Sequence, residues 1–176
     1  LLRQALRSYL ASSPVTEGKG FLYRKFSESL MPADAESLVC LPGGFRMALD
    51  LRESVQREIY FYGSYERKET ALVRRLLDPG DVFWDVGASI GYYSLLAAAR
   101  AGPEGRVVAF EPFPPAWDRL QKNLAANSHH HILCVRAAVS DSCGETRIFY
   151  ANDVPDGVAT LAPAVGQANS VLCELT

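Results

Sequence analysis

The spacing of apolar and polar positions changes character near residue 66. Over residues 1–12, Leu2, Leu6, Tyr9 and Leu10 fall on one face of a short amphipathic helix. Ser13 to Gly20 is a polar connector that carries Pro14 and Gly18. Residues 21–65 are less regular, yet Leu38–Leu41, the turn Pro42-Gly43-Gly44 and Phe45–Leu49 predict two strands around a reversal. From Glu66 onward strand and helix periods alternate. Glu66–Leu77 predicts a helix with Leu72, Val73, Leu76 and Leu77 inward, stopped by Asp78-Pro79-Gly80. Val82–Val86 is apolar except for Asp85, the pattern of a strand in the middle of a covered parallel sheet. Ile90–Ala101 is a helix apolar nearly all round, ended by Gly102.

A second strand is predicted over Arg106–Glu111. Pro114-Pro115 then start a helix whose stripe is Trp117, Leu120 and Leu124 and which ends at Asn127. Ile132–Val139 is the third strand, Thr146–Tyr150 an added one after Gly144, and Val171–Leu175 the last. Residues 151–169, rich in Asn, Asp, Gly, Pro and Ala, read as a mobile loop. The alternation predicts an α/β, Rossmann-like sheet of three strands plus added strands. Residues 1–65 form an N-terminal α+β cap segment, which packs against the core, and residues 66–176 the domain proper.

The chemistry sits where two of these strands end. V-F-W-D-V-G-A-S-I-G over residues 82–91 runs from an apolar strand through Asp85 into Gly87-Ala88-Ser89-Ile90-Gly91. V-V-A-F-E over residues 107–111 ends a second strand in Glu111. An open α/β sheet builds a nucleoside pocket at this carboxyl edge. Glycine at 87 and 91 allows a tight turn and close backbone approach, and an exposed Glu111 accepts hydrogen bonds from both ribose hydroxyls. The dinucleotide pattern G-x-G-x-x-G is absent, and a carboxylate at Asp85 repels a pyrophosphate. It suits a cationic ammonium or sulfonium. S-adenosylmethionine has both charges and a ribose, so it fits both acids.

At these residues the sequence resembles the FkbM-type methyltransferases. The resemblance is carried by D-V-G-A-S-I-G-Y-Y-S (85–94), V-V-A-F-E-P (107–112), D-R-L-Q-K-N-L-A-A-N (118–127) and A-A-V-S-D (137–141). Met47–Leu51 and Ile59–Glu66 are similar too, so that the likeness covers about residues 45 to 176. It implies a class I, S-adenosylmethionine-dependent fold that methylates hydroxyls on sugars, glycans, polyketides or lipids. Ser89 stands where the family usually has asparagine, and Phe113 where a small polar residue is common. Only the first three strands of the class's seven-stranded sheet are readable, so the chain is expected to be a fragment truncated after Thr176.

On this reading Asp85 orients the methionine ammonium, directly or through water. The Gly87–Gly91 turn, with Ala88 and Ser89, carries the methionine backbone past the helix N-terminus. Glu111 holds the ribose, and Pro112 or Phe113 walls the adenine. Asp141 accepts from the adenine amino group, the usual role of that position in the family, or simply forms a turn beside Ser140 and Ser142. The Tyr92-Tyr93 pair is partly core, with Tyr92 in reach of the cofactor. Glu66 and Glu69 read as first-turn helix acids. No general base stands out, so the catalytic residue stays unassigned and the acceptor-facing residues are expected beyond Thr176.

Composition narrows the remaining classes. At 176 residues and 48% hydrophobic, the chain is long enough to bury one sizeable core. A net charge of −2 gives no electrostatic case for nucleic acid. No apolar run approaches a membrane span and no leader-like segment follows Leu1. Cys40, Cys134, Cys143 and Cys173 lack metal or disulfide spacing and read as buried thiols in a reducing, cytoplasmic setting. His129-His130-His131 cannot all face one ion, so no metal is expected and the run reads as a solvated loop. The partner is then a small-molecule or glycan hydroxyl substrate. Two other readings remain open: a non-catalytic cofactor-binding remnant, and a nicotinamide-dependent oxidoreductase.

Overall fold

The computed structural model describes residues 1–128, 131–150, 159–160 and 169–176. His129, His130 and most of the 151–169 loop lie outside the described residues. The chain opens with α1 (Leu2–Ser12), α2 (Lys19–Phe26), an antiparallel hairpin of β1 (Glu36–Cys40) and β2 (Arg46–Asp50), and α3 (Ser54–Tyr62). Then come α4 (Arg67–Leu76), β3 (Val82–Val86), α5 (Tyr92–Ala101), β4 (Arg106–Phe110), α6 (Pro114–Ala125) and β5 (Ile132–Val135). Strands β3, β4 and β5 pair in parallel in that order, with Asp85 opposite Ala109 and Phe110 opposite Val135. A second sheet joins β6 (Ala137–Ala138), β9 (Asn169–Leu175), β7 (Gly144–Tyr150) and β8 (Ala159–Thr160) in the order β6-β9-β7-β8. The alternating part is an α/β Rossmann-like arrangement, preceded by an α+β segment.

The N-terminal segment buries its apolar side chains directly on α5. Leu10 of α1, Phe45, Met47 and Leu49 of the hairpin and Phe61 of α3 share one cluster with Tyr92, Leu95 and Leu96. The Phe45 ring meets the Tyr92 ring edge-on at 5.8 Å. Helix α5 therefore lies between the hairpin and the parallel sheet, which explains why its sequence is apolar nearly all round.

Several expectations are corrected. The connector and the irregular stretch contain two helices, α2 and α3. Helix α2 begins at a buried lysine: the Lys19 ammonium donates to the carbonyls of Leu10 (2.8 Å) and Ser13 (2.7 Å), tying α2 back to α1. This short basic helix is held by that charge and by the Tyr23 ring against Phe61 and Tyr62, too few contacts to leave a periodicity to read. On α4, Leu72 and Leu76 face solvent, while Thr70, Val73 and Leu77 turn inward. The third strand stops at Val135, and Ala137–Ala138 pair with β9 in the other sheet.

Strand β3 is not covered on both faces. It forms the edge of its sheet, and Val82, Trp84 and Val86 are exposed along with Leu133 of β5. The helices α5 and α6 cover the other face only, where Asp85, Val107 and Ala109 are buried. Cys40 and Cys143 are exposed rather than buried, Cys134 is half-buried, and Cys173 alone is fully enclosed. No described helix is long and apolar enough to cross a membrane.

The shared cluster makes the hairpin part of the fold's stability. Replacing the fully buried Phe45 by alanine (Phe45→Ala) is expected to cost about 3–5 kcal/mol in chemical denaturation. A loss under about 1 kcal/mol would show that the hairpin is docked without sharing the core.

Candidate functional site

The turn between β3 and α5 is built on glycine geometry and hung from the end of β4. Gly87 adopts φ +80°, and its N–H and that of Ala88 both donate to the Phe110 carbonyl, each at 2.9 Å. The Gly91 N–H closes the turn on the Ala88 carbonyl at 2.8 Å. At Gly91 φ is +87°, which calls for glycine, and a Cβ would stand 2.6 Å from Leu120 Cδ1 of α6 and force that side chain to shift. Between them Ser89 takes φ +50°, unusual for a residue with a side chain. Its N–H points to Glu111.

Glu111 was expected to be exposed at its strand end; it is only 6% exposed. Burial has a reason in hydrogen bonding. One carboxylate oxygen accepts from the Ser89 N–H at 2.7 Å and the other from the Phe113 N–H at 2.9 Å. Each oxygen carries two lone pairs, so one on each remains for a ligand hydroxyl. Burial raises the Glu111 pKa, the two backbone N–H groups partly offset that, and the Asp85 charge raises it further. Asp85, 8% exposed, accepts from the Ser94 hydroxyl at 2.5 Å, and burial raises its pKa too.

The residues named from sequence divide into a group and two outliers. Asp85, Gly87, Ala88, Ser89, Gly91, Glu111, Pro112 and Phe113 gather at the carboxyl ends of β3 and β4. The Phe113 ring packs 5.0 Å from that of Tyr150. Tyr92 is the first outlier. It is buried among Phe45, Tyr65 and Tyr93, and its hydroxyl accepts from the Thr70 hydroxyl at 3.2 Å. Asp141 is the second, exposed in the loop after β6, where it accepts from Ser140 Oγ at 3.3 Å. Glu66 stands just before α4 and accepts from the Tyr93 hydroxyl at 2.9 Å, while Glu69 lies in that helix's first turn. His131 lies 3.2 Å by Nε2 from the Ala98 carbonyl. Among the described residues no group of three potential metal ligands occurs.

Sequence reasoning missed the other side of the site. A cleft of about 140 Å³ runs from Ser89 and Phe113 to Arg119 of α6 and to Glu53 and Gln56 at the start of α3. That is below the roughly 300–1,000 Å³ of a complete ligand site, so it accommodates part of a ligand. Behind it, buried Asp50 accepts from Arg52 Nη2 (2.7 Å) and Arg119 Nη2 (3.1 Å), and the Arg52 bonds hold its carboxyl down to about 2. Gln56 Oε1 accepts from the Asp50 N–H at 2.8 Å. Asp50 and Arg119 are 69 positions apart, and single-sequence patterning does not reach that far.

A parallel sheet with a glycine turn after one strand and an acid ending the next defines a nucleoside-binding α/β domain of the class I methyltransferase kind. Residues 85–171, about half of the chain, match the sequence model of the Methyltransferase FkbM domain, and this segment belongs to that family. Three curated relatives align with parts of the chain. The AMB antimetabolite synthetase AmbE of Pseudomonas aeruginosa is 46% identical over 89 residues, 49% of this chain and 4% of that protein. The methyltransferase sdnD of Sordaria araneosa is 36% identical over 45% of this chain and 30% of its own length. The hexuronic acid methyltransferase AglP of Haloferax volcanii is 34% identical over 45% of this chain and 32% of its own. The aligned part thus spans about a third or less of each relative.

The two raised carboxyls set a pH dependence. A carboxyl whose folded pKa lies above its unfolded value contributes stability that is complete below about pH 4 and is lost as pH rises through the folded value. Asp85→Asn and Glu111→Gln are therefore each expected to flatten the fall in melting temperature between pH 4 and 8. Melting curves parallel to the parent's would show that burial of these acids carries no such cost.

Proposed function

We propose that this chain supplies the S-adenosylmethionine-binding part of a methyltransferase, with a hydroxyl on a sugar, glycan, polyketide or lipid as acceptor. The observation that carries the reading is the Glu111 carboxylate. It is buried, bonded to one loop through Ser89 and to the other through Phe113, and keeps one lone pair on each oxygen. A ribose diol matches that pair of acceptors. Asp85 lies one strand away on the same edge and suits the cationic methionine end. Bound here, S-adenosylmethionine supplies an electrophilic methyl group.

The chain's own residues bind and orient. Glu111 fixes the sugar ring, the Gly87–Gly91 turn admits the ligand past α5, and Phe113 with Pro112 offers a flat wall for the base. Methyl transfer to an alcohol is an in-line displacement, so holding donor and acceptor in line is a large part of the work. The similarity to sdnD, a methyltransferase, and to AglP, a hexuronic acid methyltransferase, supports the reaction type and a sugar-like acceptor. The division at residue 65 is part of the proposal, with the N-terminal segment as a fixed wall of the cofactor cleft, supported by Glu53 and Gln56 lining it. So is a cytoplasmic setting, supported by the unpaired, exposed Cys40 and Cys143.

Calorimetry with S-adenosylhomocysteine and with NAD tests the reading. Binding of the first and not the second is expected, and Glu111→Ala is expected to weaken it by about 1–3 kcal/mol, the cost of unpaired ribose hydroxyls. Binding of NAD alone would overturn the methyltransferase reading, and an unchanged affinity in the variant would remove Glu111 from the site.

A further inference from the structure

The D-R-L-Q-K-N-L-A-A-N stretch of α6 contains a polar side chain that packing does not account for. Asn123 is fully buried, at 0% exposure, in a helix position where an apolar residue is the simpler choice. Its amide is used at both ends. Oδ1 accepts from the Ala48 N–H of β2 at 2.8 Å, and Nδ2 donates to the Ile90 carbonyl at 2.8 Å. An N–H on one side and a C=O on the other leave one orientation of the amide. Ile90 precedes Gly91, the residue that caps α5, so its carbonyl lies outside the helical ladder and needs a partner from elsewhere.

Ile90 also stands between the two left-handed residues of the turn, Ser89 at φ +50° and Gly91 at φ +87°. A residue such as Ser89 holds that conformation only where its surroundings fix it from more than one direction. Glu111 holds the Ser89 N–H on one side, and Asn123 holds the next carbonyl on the other. Leu120, one turn earlier on α6, fills the space beside Gly91.

We propose that Asn123 is a positioning residue for the cofactor site: it sets the shape of the Ser89–Gly91 turn and couples that turn to the β1–β2 hairpin. The proposal rests on the cofactor reading above only for what the turn binds. Asn127, one helical turn further on, supplies the comparison. It brackets Arg46 of the same strand, accepting from its N–H at 2.8 Å and donating to its carbonyl at 2.7 Å, and donates to the Asn123 carbonyl at 2.8 Å. Its side chain makes no hydrogen bond to the turn.

The test compares Asn123→Ala with Asn127→Ala in the complete chain, at a temperature where circular dichroism shows each folded. Two quantities are read: S-adenosylhomocysteine affinity by calorimetry, and ligand-free amide exchange at Ser89. Asn123→Ala is expected to weaken binding about ten-fold or more and to speed Ser89 exchange by a similar factor, the scale of one lost buried hydrogen bond. Asn127→Ala is expected to leave both within about two-fold even at an equal loss of melting temperature. Equal effects in the two variants would reduce Asn123 to a structural clamp, and unchanged Ser89 exchange in Asn123→Ala would overturn the proposal. Should the alanine variant not fold, Asn123→Leu, which fills the space but keeps neither hydrogen bond, is read in the same way. A parent chain that binds no S-adenosylhomocysteine removes the cofactor reading, while the ligand-free exchange still decides the role of Asn123.

Discussion

A single buried carboxylate joins the two loops that make this site. Glu111 ends β4, yet its oxygens are spent on the N–H of Ser89, after β3, and on the N–H of Phe113, where α6 begins. A charge so placed is costly to desolvate, and hydrogen bonds from two fixed backbone groups offset part of the cost. With the carboxylate gone, two N–H donors at the carboxyl edge lose their acceptor and both loops lose their common anchor. Ser89, with its strained φ, and Phe113, at the start of α6, are thereby held to one group.

The N-terminal hairpin is a second constraint on the same turn. It packs on α5 through Phe45 and Met47, and it is tied to α6 through Asn123, Asn127 and the Arg119–Asp50 pair. Helices α5 and α6 are the two crossovers of the parallel sheet, so the hairpin touches the elements that begin at the two loops joined by Glu111. A wall fastened in this way does not swing open without breaking buried contacts. Preorganisation of this kind lowers the ordering cost of binding.

Much of the parallel sheet was legible because its strands and helices follow strict local periods. Val82–Val86, Arg106–Phe110 and the Pro114-Pro115 helix start were each marked by residues within ten positions of one another. What escaped was held by distant or single contacts. Helix α2 rests on the Lys19 ammonium and the Tyr23 ring, and no long apolar stripe announces it. Leu72 and Leu76 looked like core because α4 was assumed to bury its most apolar side, whereas Thr70 and Val73 face α5. At the site, local patterning marked Asp85, the glycines and Glu111, whose types the turn requires. Asp50, Gln56 and Arg119 carry no such mark, since their meaning appears only when β2 and α6 meet. The exposure expected of Glu111 failed for the same reason: its two partners come from loops that the fold, not the neighbouring sequence, brings to it.

The open face of β3 has an optical consequence. The chain has two tryptophans, and they lie in opposite surroundings. Trp84 lies mostly exposed against the Phe110 ring on the outer side of the sheet, whereas Trp117 is partly buried with Ala88, Ala109 and Leu120 on the inner side. Unfolding changes the first indole's solvation less than that of the second, which it strips of its apolar neighbours. The change in intrinsic emission on unfolding is therefore weighted toward the junction of α6 with the glycine turn, a built-in gauge of the region where the ligand is expected to sit.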